Sequence, residues 1–223
     1  MVGPMATAKW SFSGLKQYLN CPRQYHEVKV LRNFEIKETE QIRYGKEVHT
    51  ALEDYVRDGT PLAKNYQRFA KFVDPLLKMP GQKHPEFKMA LNASREWCDF
   101  DSPDYWVRGV ADLVVIDGDT AFIVDYKTGS ARYPDPKQLK LMALMAYTRF
   151  PEVRTIKGAL FFVAHDAMVF DAYDRADIPK LWAVFDPLVI RLNAAYQNNL
   201  WPANPTPLCG WCPVKVCEFH KER

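Results

Sequence analysis

The chain of 223 residues lacks a long uncharged apolar segment, an internal repeat and a low-complexity linker. No stretch approaches the roughly 18 uncharged residues of a membrane-spanning helix, and the N-terminus lacks the apolar core of a signal peptide. Five cysteines without an export signal argue against a disulfide framework. The net charge of +3 permits a polyanionic partner but does not demand one. We therefore expect a cytoplasmic globular protein without a membrane segment.

The order of hydrophobic patterns predicts an α/β fold. A chain of this length can bury one sizeable core, so we expect a single domain over residues 5–223, with the first four residues read as a cloning remnant. Helical periodicity covers 13–25, 36–58 and 66–77, and strand signals dominate from 87 to 126. These segments are followed by a helix from Asp135–Pro136 to Tyr147, a strand over 155–165, its hairpin partner over 167–173 and a closing helix over 177–198. This order predicts a mixed sheet flanked by helices.

Two predicted strands, "GVADLVVI" and "TAFIVDYK", are separated by "DGD". Gly118 and Asp119 form a good two-residue hairpin loop, since glycine tolerates the positive φ of such turns. Counting outward from this loop places Asp112 directly opposite Asp125 on one face of the sheet. Lys127 shares that face because successive side chains alternate along a strand. The sequence therefore predicts two carboxylates and an amine at one point of the sheet.

Opposed carboxylates destabilise a sheet unless a shared proton, Lys127 or a divalent cation neutralises them. Carboxylate oxygens suit Mg²⁺ or Mn²⁺, and a cation held there would activate water and stabilise charge on a phosphate. The simpler alternative is a buried pair between Asp125 and Lys127 with Asp112 at the rim. Because such pairs contribute little to stability, we favour a reactive site.

These residues lie in motifs that resemble the PD-(D/E)XK nuclease superfamily, and within it the RecB-like exonuclease branch. "YGKEVH" resembles the Gly-x-x-x-His helix motif, "RGVADLV" and "IVDYKTG" resemble the two metal-binding strands, and Gln138 resembles the branch's glutamine. The branch often has a tyrosine four residues after this glutamine, where this chain has Met142. The resemblance implies a restriction-endonuclease-like core with these metal ligands: His49, Asp112, Asp125 and the backbone carbonyl of Tyr126.

The same resemblance makes Lys127 the catalytic lysine, and Gln138 a residue that positions the substrate or the lysine. His49 by itself would more simply be a hydrogen-bonded residue at the boundary of an amphipathic helix. Glu86 matches a further acidic position of the branch, but a solvated strand-edge glutamate explains it equally well. We leave Glu86 outside the predicted site.

Three cysteines near the C-terminus, in "CGWCPVKVC", have the spacing C-x₂-C-x₄-C and need a fourth metal ligand, for which Cys21 and His220 are candidates. "LKQYLNCPRQY" resembles the segment that supplies one cysteine to a [4Fe–4S] cluster in AddB-type and CRISPR-associated nucleases. The last gap is one residue shorter than in that group, so Zn²⁺ and free thiols stay as alternatives. Cys98 is read as a small buried hydrophobe. The resemblance implies a cluster that joins the N-terminal segment to residues 205–223 and is held by Cys21, Cys209, Cys212 and Cys217.

Arg23, Arg132 and Tyr133 lie in segments where basic and aromatic residues alternate, and they are candidates for contacts with DNA phosphates and bases. A solvated charged face is the alternative. We expect an Mg²⁺- or Mn²⁺-dependent DNA exonuclease that acts on single strands or duplex ends in recombination, repair or phage DNA processing, in the cytoplasm of a bacterial, archaeal or phage-infected cell. The alternatives are a structure-selective endonuclease and a non-catalytic DNA-end-binding subunit beside a helicase, recombinase or integrase.

Overall fold

The computed structural model describes residues 8–132 and 134–221. One five-stranded mixed sheet has its strands in chain order. The pairs β1–β2, β2–β3 and β4–β5 are antiparallel, and β3–β4 is parallel. The strands are β1 Gln82–Asn92, β2 Tyr105–Asp117, β3 Thr120–Lys127, β4 Thr155–Phe162 and β5 Ala167–Asp174. The α-helices are α1 Phe12–Asn20, α2 Pro22–Tyr25, α3 Glu40–Asp58, α4 Ala70–Lys78, α5 Lys137–Arg149 and α6 Ile178–Asn198. The predicted mixed sheet flanked by helices is confirmed.

The chain forms two compact units. One unit spans Thr39–Trp182 and contains the whole sheet with α3, α4 and α5. The other contains the described residues up to Glu38 and those from Ala183 onward. The single domain over residues 5–223 stays a prediction beside this division.

Helix α3 packs its apolar side against one face of the sheet. Val48 and Leu52 are fully buried in a cluster that also contains residues of α4 and of strands β2, β3 and β4. The predicted start near residue 36 is wrong by four residues, because the Thr39 side chain accepts the Ile42 N–H and caps the helix at Glu40. Gly59, with φ +70°, ends the helix where the sequence predicts.

The hairpin between β2 and β3 has the predicted register near its turn. Asp117 pairs with Thr120, and the pairing continues to Leu113 opposite Val124. Gly118 adopts φ +58°, as a tight hairpin turn requires. The next pair, predicted to be Asp112 with Asp125, does not form, because the strands separate one residue short of it.

Helix α5 connects the parallel strands β3 and β4 and is buried along most of its length. Its cap is Pro136 rather than the predicted Asp135, whose Oδ1 instead accepts the Lys137 N–H at 3.2 Å. A Cβ at Gly158 of β4 would lie 3.3 Å from Leu139 Cβ, so glycine lets the first turn of α5 approach the sheet closely.

Candidate active site

Two carboxylates, those of Glu86 and Asp112, lie in neighbouring strands where regular pairing is interrupted. The β1–β2 ladder pairs Pro85 with Leu113 and Phe87 with Ala111, and it passes over Glu86 and Asp112. Glu86 adopts φ +45°, in the left-handed region that non-glycine residues seldom occupy. Since the β2–β3 ladder also stops before Asp112, both edges of β2 depart from regular pairing at this one residue. Backbone strain of this kind is often found at functional sites.

The carboxylate of Asp112 joins helix α3 to strand β3. Its Oδ1 lies 3.0 Å from His49 Nδ1, and its Oδ2 accepts the Tyr126 backbone N–H at 2.5 Å. The side chain thus takes a hydrogen bond that continued strand pairing would give to the backbone, which explains why the predicted pairing with Asp125 is lost. Because the N–H and C=O of an extended residue point to the same side, the Tyr126 carbonyl also faces Asp112.

His49, Glu86 and Asp112 converge, with one ligand atom from each within 4.8 Å of the others. Burial and the negative charge of Asp112 raise the pKa of Glu86 to about 7. Burial alone lowers the pKa of His49, but the hydrogen bond and charge of Asp112 outweigh it and raise that pKa. Two crowded carboxylates and an imidazole are a donor set that a hard divalent cation accepts. These residues therefore fit a divalent metal ion.

Asp125, Lys127 and Gln138 form a second set, on β3 and the first turn of α5. Gln138 Nε2 donates to Asp125 Oδ1 at 2.6 Å, and Gln138 Oε1 accepts from Lys127 Nζ at 2.8 Å. Lys127 Nζ also lies 2.5 Å from Asp125 Oδ2. Only 3% of Asp125 is exposed, and its burial raises the pKa of the carboxyl although the Lys127 charge opposes this. One glutamine therefore bridges the acid and the amine.

Tyr126 lies between these two charged residues in sequence and points to the other face of the sheet. Its side chain is 2% exposed, within the cluster beneath α3 and α4. The ring meets that of His49 edge-on, with centroids 6.4 Å apart. Among the described residues, the hydroxyl has no hydrogen-bond partner. The ring thus supports His49 from the core, and the backbone N–H holds Asp112.

The predicted residues therefore fall into two neighbouring groups. His49 and Asp112 come together with Glu86, which the sequence analysis left outside the site, whereas Asp125 is engaged by Lys127 and Gln138. The alignment of Glu86 with Asp112 across β1 and β2 is the signal that identifies it. That register could not be read from the sequence, because residues 93–104 between the two strands are too long for a tight hairpin turn.

The cysteines predicted to bind a cluster lie in the unit formed by the two ends of the chain. Cys21, Cys209, Cys212 and Cys217 line one cavity. Each sulfur accepts an N–H, from Asn204, Thr206, Gln24 and Arg23 respectively, at 3.3–3.8 Å.

The described residues that are predicted to contact DNA, Arg23 and Arg132, have different surroundings. Arg23, besides its bond to Cys217, forms an ion pair with Glu218. Arg132 is exposed, and its N–H donates to Ser130 Oγ. Tyr133 lies outside the described residues. Cys98 is only half-buried and does not line the cysteine cavity.

A mixed sheet with an aspartate and a lysine two residues apart on its third strand, beside further carboxylates, brings groups that fit a divalent ion next to an amine, and such an ion can stabilise charge on a phosphate. A sequence model of the PD-(D/E)XK nuclease superfamily matches residues 9–217, and the chain belongs to this superfamily. Nucleases of this superfamily use divalent metal ions.

Two solved structures are similar to this chain. The crystal structure of SSO0001 superposes with a TM-score of 0.48 and 13% identity, covering 99% of this chain and 91% of that one. A Eubacterium rectale protein, provisionally named an exonuclease, superposes with a TM-score of 0.49 and 12% identity, covering 94% and 86%. No curated protein matches the sequence. No helix among the described residues has the length and apolar content to cross a membrane.

Proposed function

We propose that this chain is an Mg²⁺- or Mn²⁺-dependent DNA exonuclease. The observation that carries the proposal is the position of His49, Glu86 and Asp112 next to Asp125, Lys127 and Gln138. A purely structural ion pair between Asp125 and Lys127 would need none of the three converging ligands. The proposal places the enzyme in DNA recombination, repair or phage DNA processing.

The residues have distinct roles in this proposal. His49, Glu86, Asp112 and the Tyr126 carbonyl hold the divalent ion, and Asp125 completes the set. The bound ion supplies positive charge at the scissile phosphate and lowers the pKa of water.

Lys127 contributes a second positive charge where the attacking oxygen and the phosphate meet. Gln138 keeps the Lys127 ammonium and the Asp125 carboxylate in register through its two hydrogen bonds. Its amide therefore orients both groups before the substrate arrives, which lowers the cost of organising them during reaction.

The test is cleavage of DNA by the isolated chain with and without Mg²⁺ or Mn²⁺. Asp125→Ala and Lys127→Ala are expected to abolish cleavage. The matched control is another aspartate–lysine pair of the same unit, Lys140 and Asp171, whose charged atoms lie 3.2 Å apart. Lys140→Ala and Asp171→Asn should keep cleavage, and survival of cleavage in both site variants contradicts the assignment.

Substrates separate the classes of activity. An exonuclease degrades oligonucleotides labelled at one end and leaves a covalently closed single-stranded circle intact, whereas an endonuclease cuts the circle. DNA binding without metal-dependent cleavage would instead indicate an end-binding subunit of a helicase, recombinase or integrase complex.

We also propose that Cys21, Cys209, Cys212 and Cys217 hold a [4Fe–4S] cluster. Four sulfurs around one zinc ion, at about 2.3 Å each, lie about 3.8 Å apart. Among the residues that the structure describes, no three cysteine sulfurs lie within 4.8 Å of one another. This spacing is wider than a single zinc ion requires, and the common cavity of the four cysteines is what supports a shared cluster.

Such a cluster would join the two terminal segments and stabilise them by closing a very long loop. Anaerobically purified protein is expected to show the visible charge-transfer absorption of iron–sulfur clusters. The Cys21→Ser variant is expected to lack this absorption. Metal analysis that finds zinc, or no metal, contradicts the proposal.

A further inference from the structure

Residues 21–24 supply or contact three of the four sulfurs around the cysteine cavity. Cys21 provides one sulfur itself. The Gln24 side chain donates an N–H to Cys212 Sγ at 3.5 Å, and the Arg23 side chain donates to Cys217 Sγ at 3.8 Å. These partners are 188 and 194 residues apart in sequence. One short segment therefore brings a sulfur and two donors to the cysteines at the other end of the chain.

The backbone of this segment is held in place by contacts with residues 202–206. The Arg23 backbone N–H donates to the Pro202 carbonyl at 3.2 Å. Asn204 Nδ2 donates to the Asn20 carbonyl at 2.9 Å. Because these contacts involve no cysteine side chain, the backbone that carries both donors is positioned independently of what the sulfurs bind.

The two donors differ in charge. The Arg23 guanidinium is permanently charged, and it forms an ion pair with Glu218, the residue that follows Cys217. The Gln24 amide is neutral and offers only an N–H. Hydrogen bonds from charged donors are stronger than those from neutral ones, so the Cys217 sulfur is restrained by the stronger kind of bond.

Donors of this kind affect a metal cluster in two ways. Groups that hydrogen-bond to metal ligands orient those ligands, and their loss typically lowers metal affinity by about 10–100-fold. Hydrogen bonds to the sulfurs and nearby charge also set the reduction potential of an iron–sulfur cluster. Reduction adds an electron, and an N–H dipole or a positive charge beside a sulfur stabilises the added negative charge. Donors to Cys212 and Cys217 should therefore help to retain a cluster and make its reduction easier.

We propose that Arg23 and Gln24 are positioning residues of the cysteine site, which hold the Cys217 and Cys212 sulfurs and raise the reduction potential of the cluster. The inference rests on the proposed [4Fe–4S] cluster and adds the residues outside the ligand set that control it. It does not depend on DNA cleavage.

Redox titration of anaerobically purified protein, followed by absorption and electron paramagnetic resonance, measures the midpoint potential. Arg23→Gln and Gln24→Glu remove the donors to sulfur and should lower this potential. Arg23→Lys keeps the positive charge and should restore most of it. The matched controls are Arg191→Gln and Gln197→Glu, the same replacements at exposed positions of the same unit that do not line the cavity. Both controls should leave the midpoint potential unchanged.

The ion pair provides a signature that a merely structural role lacks. Glu218→Gln removes the negative partner of Arg23 and leaves the positive charge beside Cys217 uncompensated. It should therefore raise the midpoint potential, whereas Arg23→Gln lowers it. If the pair served only to hold the chain, breaking it from either side would act in the same direction.

Retention of iron against a chelator is the second measurement. Arg23→Gln is expected to weaken retention by about 10–100-fold relative to the unchanged chain, and Arg23→Lys should restore most of it. This measurement also decides the case in which Arg23→Gln purifies with too little iron for a titration. Iron retained in Arg23→Lys and in Arg191→Gln then supports the proposal, and equal loss from Arg191→Gln overturns it.

Three further outcomes overturn the proposal. They are an unchanged midpoint potential and iron retention in Arg23→Gln and Gln24→Glu, shifts of the same sign in Arg23→Gln and Glu218→Gln, and a reduced DNA affinity of Arg23→Gln with an unchanged cluster. The last result would assign Arg23 to DNA instead. If the unchanged chain holds the cluster, these outcomes refute the positioning roles alone. If the unchanged chain binds no iron, the cluster proposal and this inference both fail.

Discussion

Two buried tyrosines of the sheet-containing unit should respond in opposite ways to the same substitution. The side chains of Tyr126 and Tyr147 are 2% and 1% exposed. Within the part of the chain that the structure describes, the Tyr126 hydroxyl has no hydrogen-bond partner, whereas the Tyr147 hydroxyl donates to the Tyr173 carbonyl at 2.6 Å and lies 3.2 Å from the Arg154 carbonyl. Replacement by phenylalanine removes one oxygen in each case and leaves the ring packing unchanged.

The expected magnitudes follow from the partners of each hydroxyl. A buried polar group without a partner costs about 1–3 kcal/mol, so Tyr126→Phe should raise the free energy of unfolding by up to that amount. Tyr147→Phe removes the buried hydrogen bond to the Tyr173 carbonyl, while the Arg154 carbonyl still accepts the Arg175 N–H, and it should lower the free energy of unfolding by about 0.5–1.5 kcal/mol. For a chain of this length, 1 kcal/mol shifts the melting temperature by about 2–4 °C.

Urea unfolding followed by circular dichroism measures both changes. The midpoints should move in opposite directions at an unchanged slope. His49 meets the ring of Tyr126, and Asp112 accepts the backbone N–H of Tyr126. Because neither contact involves the hydroxyl, DNA cleavage by Tyr126→Phe should match that of the unchanged chain. A destabilised Tyr126→Phe variant would refute the reasoning, since it would show that the hydroxyl has a partner in the folded protein.

Three other single substitutions, and one double variant, test the site and its support. Glu86→Gln should weaken Mn²⁺ binding, measured by calorimetry, by more than about tenfold. Tenfold is about the smallest loss of affinity seen when only a hydrogen-bond partner of a metal ligand is removed, and the loss of a ligand itself should be larger. Unchanged affinity would exclude Glu86 as a ligand. Gly45→Ala should slow cleavage because Thr128 must move by a few tenths of an ångström, yet it should not destabilise α3, where alanine is favoured over glycine by about 1 kcal/mol. Adding Thr128→Ala removes the contacting oxygen and should restore the rate; no recovery would count against steric positioning. Arg175→Ala removes hydrogen bonds to three carbonyl oxygens near the end of α5. It should lower the free energy of unfolding by at least about 1.5–3 kcal/mol. An unchanged free energy of unfolding would show that water replaces the guanidinium as the donor to these carbonyls.

The sequence rules that gave correct structural predictions act over only a few residues. Gly118 and Asp119 allow a tight turn, and the turn determines the pairing from Asp117–Thr120 to Leu113–Val124. Alternation along the strand correctly placed Lys127 beside Asp125 and directed Tyr126 to the opposite face. The predicted helix after β3 also forms, and it carries Gln138 in its first turn.

The predictions that failed depended on contacts distant in sequence. Extending the register to Asp112 and Asp125 assumed regular pairing, but the Asp112 carboxylate takes the Tyr126 N–H and a His49 contact. Glu86 was left outside because a solvated strand-edge glutamate explained it equally well, and its position opposite Asp112 depends on a β1–β2 register that no turn rule specifies. The contact of Arg23 with Cys217, which joins residues from the two ends of the chain, could likewise not be read from the sequence, and the DNA contact of Arg23 stays a prediction.

The amino-acid sequence by itself determined the order of strands and helices and the acid–lysine pair at the end of β3, since each follows from short-range spacing, and its motifs resembled those of the superfamily. Only the tertiary structure decided that Glu86 joins His49 and Asp112 and that Gln138 engages Asp125 instead. The physical reason is that side chains compete for the same few donors and acceptors once separate segments pack together. Backbone periodicity carries no information about which competitor wins.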